Sequence, residues 1–221
     1  MSNNVQVGVA ILAGGQSTRM GTNKALLRSH PGAPTIIEQV IARLREADTE
    51  PDLIVTNTPH EYSFLGIPMQ PDDLPGTGPM GGILTALQHS PHDHTFVVAC
   101  DMPLLSPHLL RHMLSLPPEY DVLVPRWSDE GHIYVETLHA IYSRRCIEPI
   151  RRRLEVGKLK ITDLLQDVSV RYIEEDELRR HDPHLDSFRN VNTPGEWERL
   201  AGQVDRPSSL RSVPRRLDAL E

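Results

Sequence analysis

The sequence predicts an α/β fold of three layers, in which a doubly wound, mostly parallel sheet carries helices on both faces. Short apolar strands alternate with amphipathic helices through residues 5–125, which is typical of parallel strands joined by helical crossovers. A glycine-rich turn also follows the first strand directly. A chain of 221 residues has the length of one domain with a small appendage. We expect that domain at 1–201 and a peripheral tail at 202–221.

The elements of the first half follow from local patterns. An apolar run predicts a strand over 5–12, and apolar residues at helical spacing predict a helix over 35–47. Ser106 followed by Pro107 is a typical helix start and predicts a helix over 106–116. The other elements of this half are strands predicted at 53–56, 67–69, 95–99 and 121–124 and a helix at 80–88.

The second half is less regular. A run after a polar hairpin predicts one strand over 133–142, and a helix is expected over 144–155. The acidic run at 174–177 predicts the solvated start of a helix, and another helix is expected to begin at Pro194. Shorter elements are predicted as a helix at 160–165 and a strand at 168–173.

Charge and composition exclude several classes of protein. With 23 basic and 30 acidic residues the net charge is −7, so neither nucleic acid nor an anionic membrane surface is an expected partner. No apolar stretch approaches the roughly 18 residues that a membrane span needs, and the first residues lack the features of a signal peptide. The two cysteines, Cys100 and Cys146, form no ligand-spaced cluster. We therefore expect a reduced, cytoplasmic protein.

The clearest functional motif is the loop of residues 12–24, LAGGQSTRMGTNK, directly after the first strand. Its glycines let the backbone approach an anion closely and turn its amides inward, and Arg19 and Lys24 add positive charge. Lys24 is one of only three lysines among the 23 basic residues, which favours a point-charge role for its ammonium group. The spacing matches neither GxxxxGK[ST] nor GxGxxG. The motif therefore predicts a phosphate-binding loop of another type.

Two further loops should lie at the same edge of the sheet. Residues 71–83, PDDLPGTGPMGGI, combine carboxylates with glycines ahead of a helix, where a flat ring or a phosphate can lie against the backbone. Asp101 follows the buried strand at 95–99, and open α/β sheets bind ligands in the crevice beyond such strand ends. A lone carboxylate there suits a hard divalent cation that keeps several waters and takes oxygens from a substrate phosphate.

These three motifs, together with FRNVNTP at 188–194, resemble in order and spacing the bacterial molybdenum cofactor guanylyltransferases, which are nucleotidyltransferases with a Rossmann-like sheet. The resemblance extends from about residue 5 to residue 200. It implies an enzyme that transfers GMP from GTP to molybdopterin and releases pyrophosphate, with Mg²⁺ as cofactor. It further implies a nucleotide-binding half at 5–125 and an acceptor half at 126–201, and it suggests proteins that deliver or accept the cofactor as partners.

The resemblance also assigns roles to individual residues. Arg19, Lys24 and Asp101 are the expected catalytic residues, and Asp101 is the expected metal ligand. Nucleotide contacts are expected from Leu12, Ala13, Gly14, Gly15, Lys24, Asp72, Asp101 and Asn57, or Thr56 in place of Asn57. Contacts with the pterin acceptor are expected from Arg19, Gly78, Gly82, Lys160, Asn190 and Asn192.

Two features depart from the family pattern, and both lie in the acceptor half. Residues 135–140 read VETLHA where family members commonly carry QPLHA, and Lys160 stands where arginine is frequent. Two alternatives stay open. One is a nucleotidyltransferase that uses CTP, either on molybdopterin or on a sugar or polyol phosphate. The other is a non-catalytic nucleotide-binding regulator, which has less need of the metal carboxylate Asp101.

Overall fold

The computed structural model describes residues 6–14, 23–191 and 193–204. The predictions for Gly15, Arg19, Asn192 and residues 205–221 lie outside these described ranges. Within them the strands are β1 (Val7–Leu12), β2 (Leu53–Val55), β3 (Met69–Gln70), β4 (His94–Ala99), β5 (Val122–Asp129), β6 (His132–Val135), β7 (His139–Ser143) and β8 (Val170–Ile173). The helices are α1 (Ile36–Glu46), α2 (Pro59–Tyr62), α3 (Gly78–His89), α4 (Pro107–Ser115), α5 (Ile147–Glu155), α6 (Ile161–Leu164), α7 (Glu175–His181) and α8 (Pro194–Val204).

The strands form one sheet in the order β3-β2-β1-β4-β7-β5-β6, and β8 pairs with β5. β3, β2, β1 and β4 are parallel neighbours, and β8 is parallel to β5. β7 runs antiparallel to both β4 and β5, and β6 runs antiparallel to β5. The predicted mostly parallel sheet is confirmed. The carboxyl ends of β1, β2, β3 and β4 consequently meet at one edge.

Helices cover both faces of this sheet, which confirms the three layers. Alternate residues of β1 point to opposite faces, as a strand requires. Val9 and Ile11 pack with buried residues of α1, α4 and α7, whereas Ala10 packs with those of α3, α5 and α6. α8 forms a small separate cluster in which Trp197 and Val191 are buried against Leu104.

Local capping explains why two of the predicted helices begin where they do. The Thr35 side chain accepts a hydrogen bond from the Glu38 amide, and the Glu38 carboxylate accepts one from the Thr35 amide, so a capping box precedes α1. Ser106 caps α4 by accepting from the Leu109 amide at 3.3 Å, and Pro107 is its first residue. Both helix starts are confirmed.

The single strand predicted over 133–142 is wrong, because the chain turns at residues 136–138 and forms two strands. The Leu138 amide donates to the Glu136 carboxylate at 3.0 Å, which closes this turn. β6 before the turn pairs with the distal part of β5, and β7 after it inserts between β4 and β5. β5 also continues to Asp129, beyond the predicted 121–124, because β6 pairs with its second half.

The predicted division into halves stays a prediction, since its limit at 125/126 lies inside β5 and both halves contribute to one sheet. α8 continues to Val204, past the expected start of the tail at 202. In the parts of the chain that the structure covers, every helix is too short or too polar to cross a bilayer.

Candidate active site

The site is built on the shared edge where the parallel strands end. The Ala13 amide donates to the Val55 carbonyl at 2.9 Å, and the Cys100 amide donates to the Leu12 carbonyl at 3.1 Å. The loops that follow β1 and β4 therefore start side by side. Gly14 is exposed at this edge, so the backbone of this segment is available to a ligand. This placement agrees with the phosphate contacts expected of Leu12, Ala13 and Gly14, which remain predictions.

Lys24 lies near enough to Asp101 for its positive charge to affect that carboxyl group. Asp101 is half-buried, and burial raises the pKa of its carboxyl group while the nearby positive charge of Lys24 lowers that pKa. Burial also raises the pKa of the neighbouring Cys100 thiol well above its usual range, and Lys24 again opposes the shift. The same ammonium group thus acts on both residues that follow β4. Two of the three expected catalytic residues therefore lie near each other at this edge, and their catalytic roles stay predictions.

The loop after β3 is joined to the end of β2. The Asn57 side-chain oxygen accepts a hydrogen bond from the Asp72 amide at 2.9 Å. Asn57 is exposed, whereas Thr56 is fully buried. Of these two alternatives for a nucleoside contact, only Asn57 presents its side chain to a ligand. The placement therefore favours Asn57, and its role stays a prediction.

The carboxylate of Asp72 is oriented by its own surroundings. Its Oδ1 accepts from the Leu74 amide at 3.0 Å and lies 3.4 Å from the hydroxyl of Thr85. That hydroxyl also accepts from the Asp73 amide at 3.0 Å. Thr85 is completely buried in α3, so it connects the helix to both members of the acidic pair.

Glycine is needed at positions 78 and 82 for two different structural reasons. Gly78 opens α3 with a φ of +67°, a left-handed conformation that glycine adopts without a steric penalty. A Cβ atom on Gly82 would stand 3.2 Å from Leu12 Cδ1, so glycine lets α3 pack closely on the last residue of β1. Gly78 is exposed and Gly82 is buried. Their expected contacts with the acceptor stay predictions.

The residues expected on the acceptor side are placed differently from one another. The Val191 amide donates to the Asp101 carbonyl at 2.9 Å, which brings the exposed Asn190 near the loop that carries Asp101. Lys160 is exposed at the residue before α6. The structure thus supports Asn190 as part of the site and supplies no comparable link for Lys160.

Asp101 is compatible with the expected divalent cation. Within the described ranges, no group of three or more histidine, cysteine, aspartate and glutamate residues forms a metal-binding cluster. A cation here would therefore rely on one protein carboxylate together with water and phosphate oxygens, which is a usual arrangement for Mg²⁺. Burial disfavours the charged form of Asp101, and a bound cation would offset that cost. The donor set fits Mg²⁺.

Two residues of the site were not singled out from the sequence. Asn23 immediately precedes Lys24 and binds residues of α2, and Thr85 orients Asp72. A signal existed for Thr85, since it is a polar residue inside an otherwise apolar helix. No comparable signal existed for Asn23, because its partners are distant in the sequence.

A mostly parallel sheet with a glycine-containing loop after β1, and with a lysine near a carboxylate after β4, agrees with the class of nucleotidyltransferases with a Rossmann-like sheet. Residues 9–172 match the family model described as "MobA-like NTP transferase domain". The chain belongs to this family, which confirms both the predicted enzyme class and the predicted resemblance.

Similar proteins agree with this assignment. The chain is 38% identical over 192 residues to the "Probable molybdenum cofactor guanylyltransferase" of Carboxydothermus hydrogenoformans, covering 87% of this chain and 93% of the relative. It is 35% identical over 195 residues to the "Molybdenum cofactor guanylyltransferase" of Desulfosudis oleivorans, covering 88% and 94%. The crystal structure of molybdopterin-guanine dinucleotide biosynthesis protein A from Archaeoglobus fulgidus superimposes with a TM-score of 0.72 at 28% identity, covering 89% of this chain and all of that one.

Proposed function

We propose that this protein transfers GMP from GTP to molybdopterin and releases pyrophosphate, forming the guanine dinucleotide form of the molybdenum cofactor. The observation that carries the proposal is the match of residues 9–172 to the MobA-like NTP transferase family, and the positive charge of Lys24 near Asp101, beyond the ends of β1 and β4, supports it. Relatives that share 35–38% of their residues with this chain over most of its length are named for the guanylyltransferase activity.

In the proposed complex, the triphosphate lies along the backbone of Ala13 and Gly14 with Lys24 on its phosphates, and Asn57 and Asp72 contact the nucleoside. Asp101 would hold Mg²⁺, which supplies charge neutralisation at the α-phosphate when bound. Leu12, Gly15 and Arg19 complete the expected contacts. Such residues act by positioning and electrostatics, as is general for phosphoryl transfer.

The proposed reaction needs no general base. An oxygen of the acceptor phosphate bonds to the α-phosphorus of GTP, and the bond from that phosphorus to the bridging oxygen of the β-phosphate breaks, so pyrophosphate leaves. A phosphate monoester has its second pKa near about 6 and is largely dianionic at neutral pH. The difficulty is instead the approach of two anions in a chain whose net charge is −7. Lys24 and a cation at Asp101 would offset that repulsion.

For the acceptor, we propose contacts from Asn190 beside Asp101, with Gly78, Gly82, Lys160, Arg19 and Asn192 as the further expected contacts. The short link between Val191 and Asp101 supports the first of these. We also propose that the enzyme acts in the cytoplasm, receives molybdopterin from a delivery protein and passes its product to an acceptor protein.

The decisive experiment is pyrophosphate release with Mg²⁺ and each of ATP, CTP, GTP and UTP, with and without molybdopterin. We expect release with GTP that depends on molybdopterin. A preference for CTP would assign the CTP-dependent alternative, and no release with any nucleotide would contradict the proposal. In parallel, GTP at about 100-fold its Kd should stabilise the protein by about 2.7 kcal/mol, and CTP should stabilise it clearly less.

A further inference from the structure

We propose that Asn23 is a positioning residue that fixes the place of Lys24 and connects it to the residues expected to bind the nucleoside. The inference rests on the proposed function for its assay, because Lys24 is taken to act on the triphosphate. Its basis is a set of hydrogen bonds between Asn23, in the loop after β1, and the short helix α2. These two segments are far apart in the sequence.

The Asn23 side chain fixes the backbone on which Lys24 stands. Lys24 begins a single 3-10 turn, Lys24–Leu26, and Asn23 is the residue that caps it. The Asn23 Oδ1 atom accepts from the Ala25 amide at 3.1 Å. A turn this short cannot hold its own orientation, so its direction depends on what Asn23 binds next.

Asn23 binds two neighbouring residues of α2. Its Nδ2 atom lies 2.7 Å from Glu61 Oε2 and 2.8 Å from the Tyr62 hydroxyl, and that hydroxyl lies 3.2 Å from Asn23 Oδ1. A hydrogen bond from an amide to a carboxylate is charge-assisted and strong. The Asn23 hydrogen bond is also the largest cause of the lowered pKa of the Glu61 carboxyl group.

Tyr62 provides a rigid base for this contact. It is 1% exposed, and burial, followed by the nearby Cys100, raises the pKa of its phenol well above the usual range. Tyr62 belongs to the buried cluster against which Cys100, the residue after β4, also packs. Asn23 therefore connects the residue before Lys24 to a side chain that the core holds in one place.

The same contact continues toward the nucleoside side. Glu61 Oε2 also accepts from the Thr58 hydroxyl at 2.9 Å, and Thr58 directly follows Asn57. The Thr58 amide in turn donates to the Thr56 hydroxyl at 3.2 Å. Glu61 therefore joins Asn23 to the segment that carries Asn57. One hydrogen-bond network thus positions both Lys24, expected at the phosphates, and Asn57, expected at the nucleoside.

The first test is a double-mutant cycle with Asn23→Ala and Lys24→Ala, using kcat/KM for GTP and the Kd of GTP with Mg²⁺. If Asn23 acts through Lys24, Asn23→Ala lowers kcat/KM about 10- to 100-fold in the wild-type background. In the Lys24→Ala background it lowers kcat/KM less than about threefold. Equal losses in both backgrounds would overturn the positioning role. Arg153→Ala, which breaks an ion pair of 2.6 Å with Asp167 away from this loop, is the control for a general loss of stability.

The second test exchanges donor and acceptor without changing the net charge of the pair. Asn23→Asp places two carboxylates in contact and should impair GTP binding as strongly as Asn23→Ala does. Adding Glu61→Gln restores a hydrogen bond between an amide and a carboxylate at these two positions. The aspartate introduced at position 23 can still accept hydrogen bonds from the Ala25 amide and the Tyr62 hydroxyl. We therefore expect kcat/KM of the double variant to be within about threefold of wild type. If the double variant has no higher kcat/KM than Asn23→Asp alone, the result contradicts the inference.

The failure of this inference differs from the failure of the proposed function. An inactive wild type that binds no GTP would reject the proposed function before any variant is compared. A wild type that is active on GTP, with Asn23→Ala equally active, would reject only the positioning role of Asn23. Melting curves of all variants without nucleotide show whether a loss comes from unfolding.

Discussion

The Val191 amide donates a hydrogen bond of 2.9 Å to the carbonyl of Asp101. This bond attaches the segment before α8 to the loop after β4, so that Asn190 lies near the expected metal ligand. Trp197 and Leu200 of α8 then pack on Leu104, three residues after Asp101. α8 therefore supports the loop that carries Asp101.

Lys24→Ala should lower kcat/KM for GTP by about 2–4 kcal/mol of transition-state stabilisation, the scale of losing one preorganised electrostatic donor. Lys24→Arg should restore little, because a planar guanidinium on a longer stem does not occupy the place of a compact ammonium group. Steady-state kinetics of both variants, with melting curves, measure this. Wild-type kinetics in both would end the interpretation of this loop as a phosphate site.

Asp101→Asn should separate activity from stability. The amide cannot supply the charge that a cation at this position needs, so turnover should fall by about two orders of magnitude or more. Without ligand the variant should be at least as stable as wild type, because burial already disfavours the charged carboxylate. The measurements are turnover against Mg²⁺ concentration and the Tm without nucleotide. Near-normal activity would make Asp101 a structural residue only.

Thr85→Val should weaken nucleotide binding more than it slows turnover. The change removes the hydroxyl that contacts Asp72 Oδ1 and the Asp73 amide while keeping the shape of the side chain. We expect KM for GTP to rise with kcat nearly unchanged, and the free energy of unfolding to fall by about 1–2 kcal/mol. Thr85→Ser, which keeps the hydroxyl, should recover most of the binding. A fall in kcat alone would contradict this role.

Gly81→Ala should destabilise the loop of residues 71–78. A Cβ atom at this position would stand 1.9 Å from Thr77 Oγ1, which donates to the Leu74 carbonyl at 2.6 Å. The hydroxyl must therefore move, and we expect a loss of about 1–3 kcal/mol. In a Thr77→Ala background the same change should cost less, because the hydroxyl is gone and the remaining contacts of the new Cβ, with the Cβ of residue 77 and with Asp72 Oδ1, are both 3.2 Å. Urea unfolding of the four proteins measures this difference, and an equal loss in both backgrounds would contradict the clash with the hydroxyl.

His139 should make the protein less stable as the pH falls. It is fully buried, edge-on to Phe96 at 5.0 Å and Phe188 at 5.3 Å between ring centroids, and burial lowers its pKa to about 3. Unfolded, the imidazole has its ordinary pKa near about 6.5. Between these values the unfolded chain binds more protons, so the free energy of unfolding decreases as the pH drops from about 6.5 toward 3.

His139→Leu removes this titration and should flatten the dependence by about 1.4 kcal/mol per pH unit within the same window. Urea unfolding at several values between pH 4 and 7.5 measures the slope of each protein. His132→Leu is the matched control, because His132 is exposed in β6 and its loss leaves the core unchanged. A wild-type slope that persists in the His139 variant would assign the pH dependence to other groups.

Much of the fold and part of the site follow from local sequence. The starts of α1 and α4 depend on Thr35, Ser106 and residues within one turn of them. Because these capping bonds join residues that are close in the sequence, a local sequence pattern is enough to predict them. The loops after β1, β3 and β4 are likewise visible as glycines and carboxylates at the ends of apolar runs. Because parallel strands end at one edge, the sequence alone was enough to expect these loops together.

Other features depend on contacts between residues that are distant in the chain. The insertion of β7 between β4 and β5, the turn at residues 136–138 and the bond from Val191 to Asp101 each join separate segments. The partners of Asn23 on α2 are of the same kind. Strand propensity describes how a segment fits a pleated surface and not which strand lies beside it. Composition and motif spacing therefore determined the class of fold and the chemistry of its loops, whereas packing across the whole chain decided which side chains hold Lys24 and Asp101 in place.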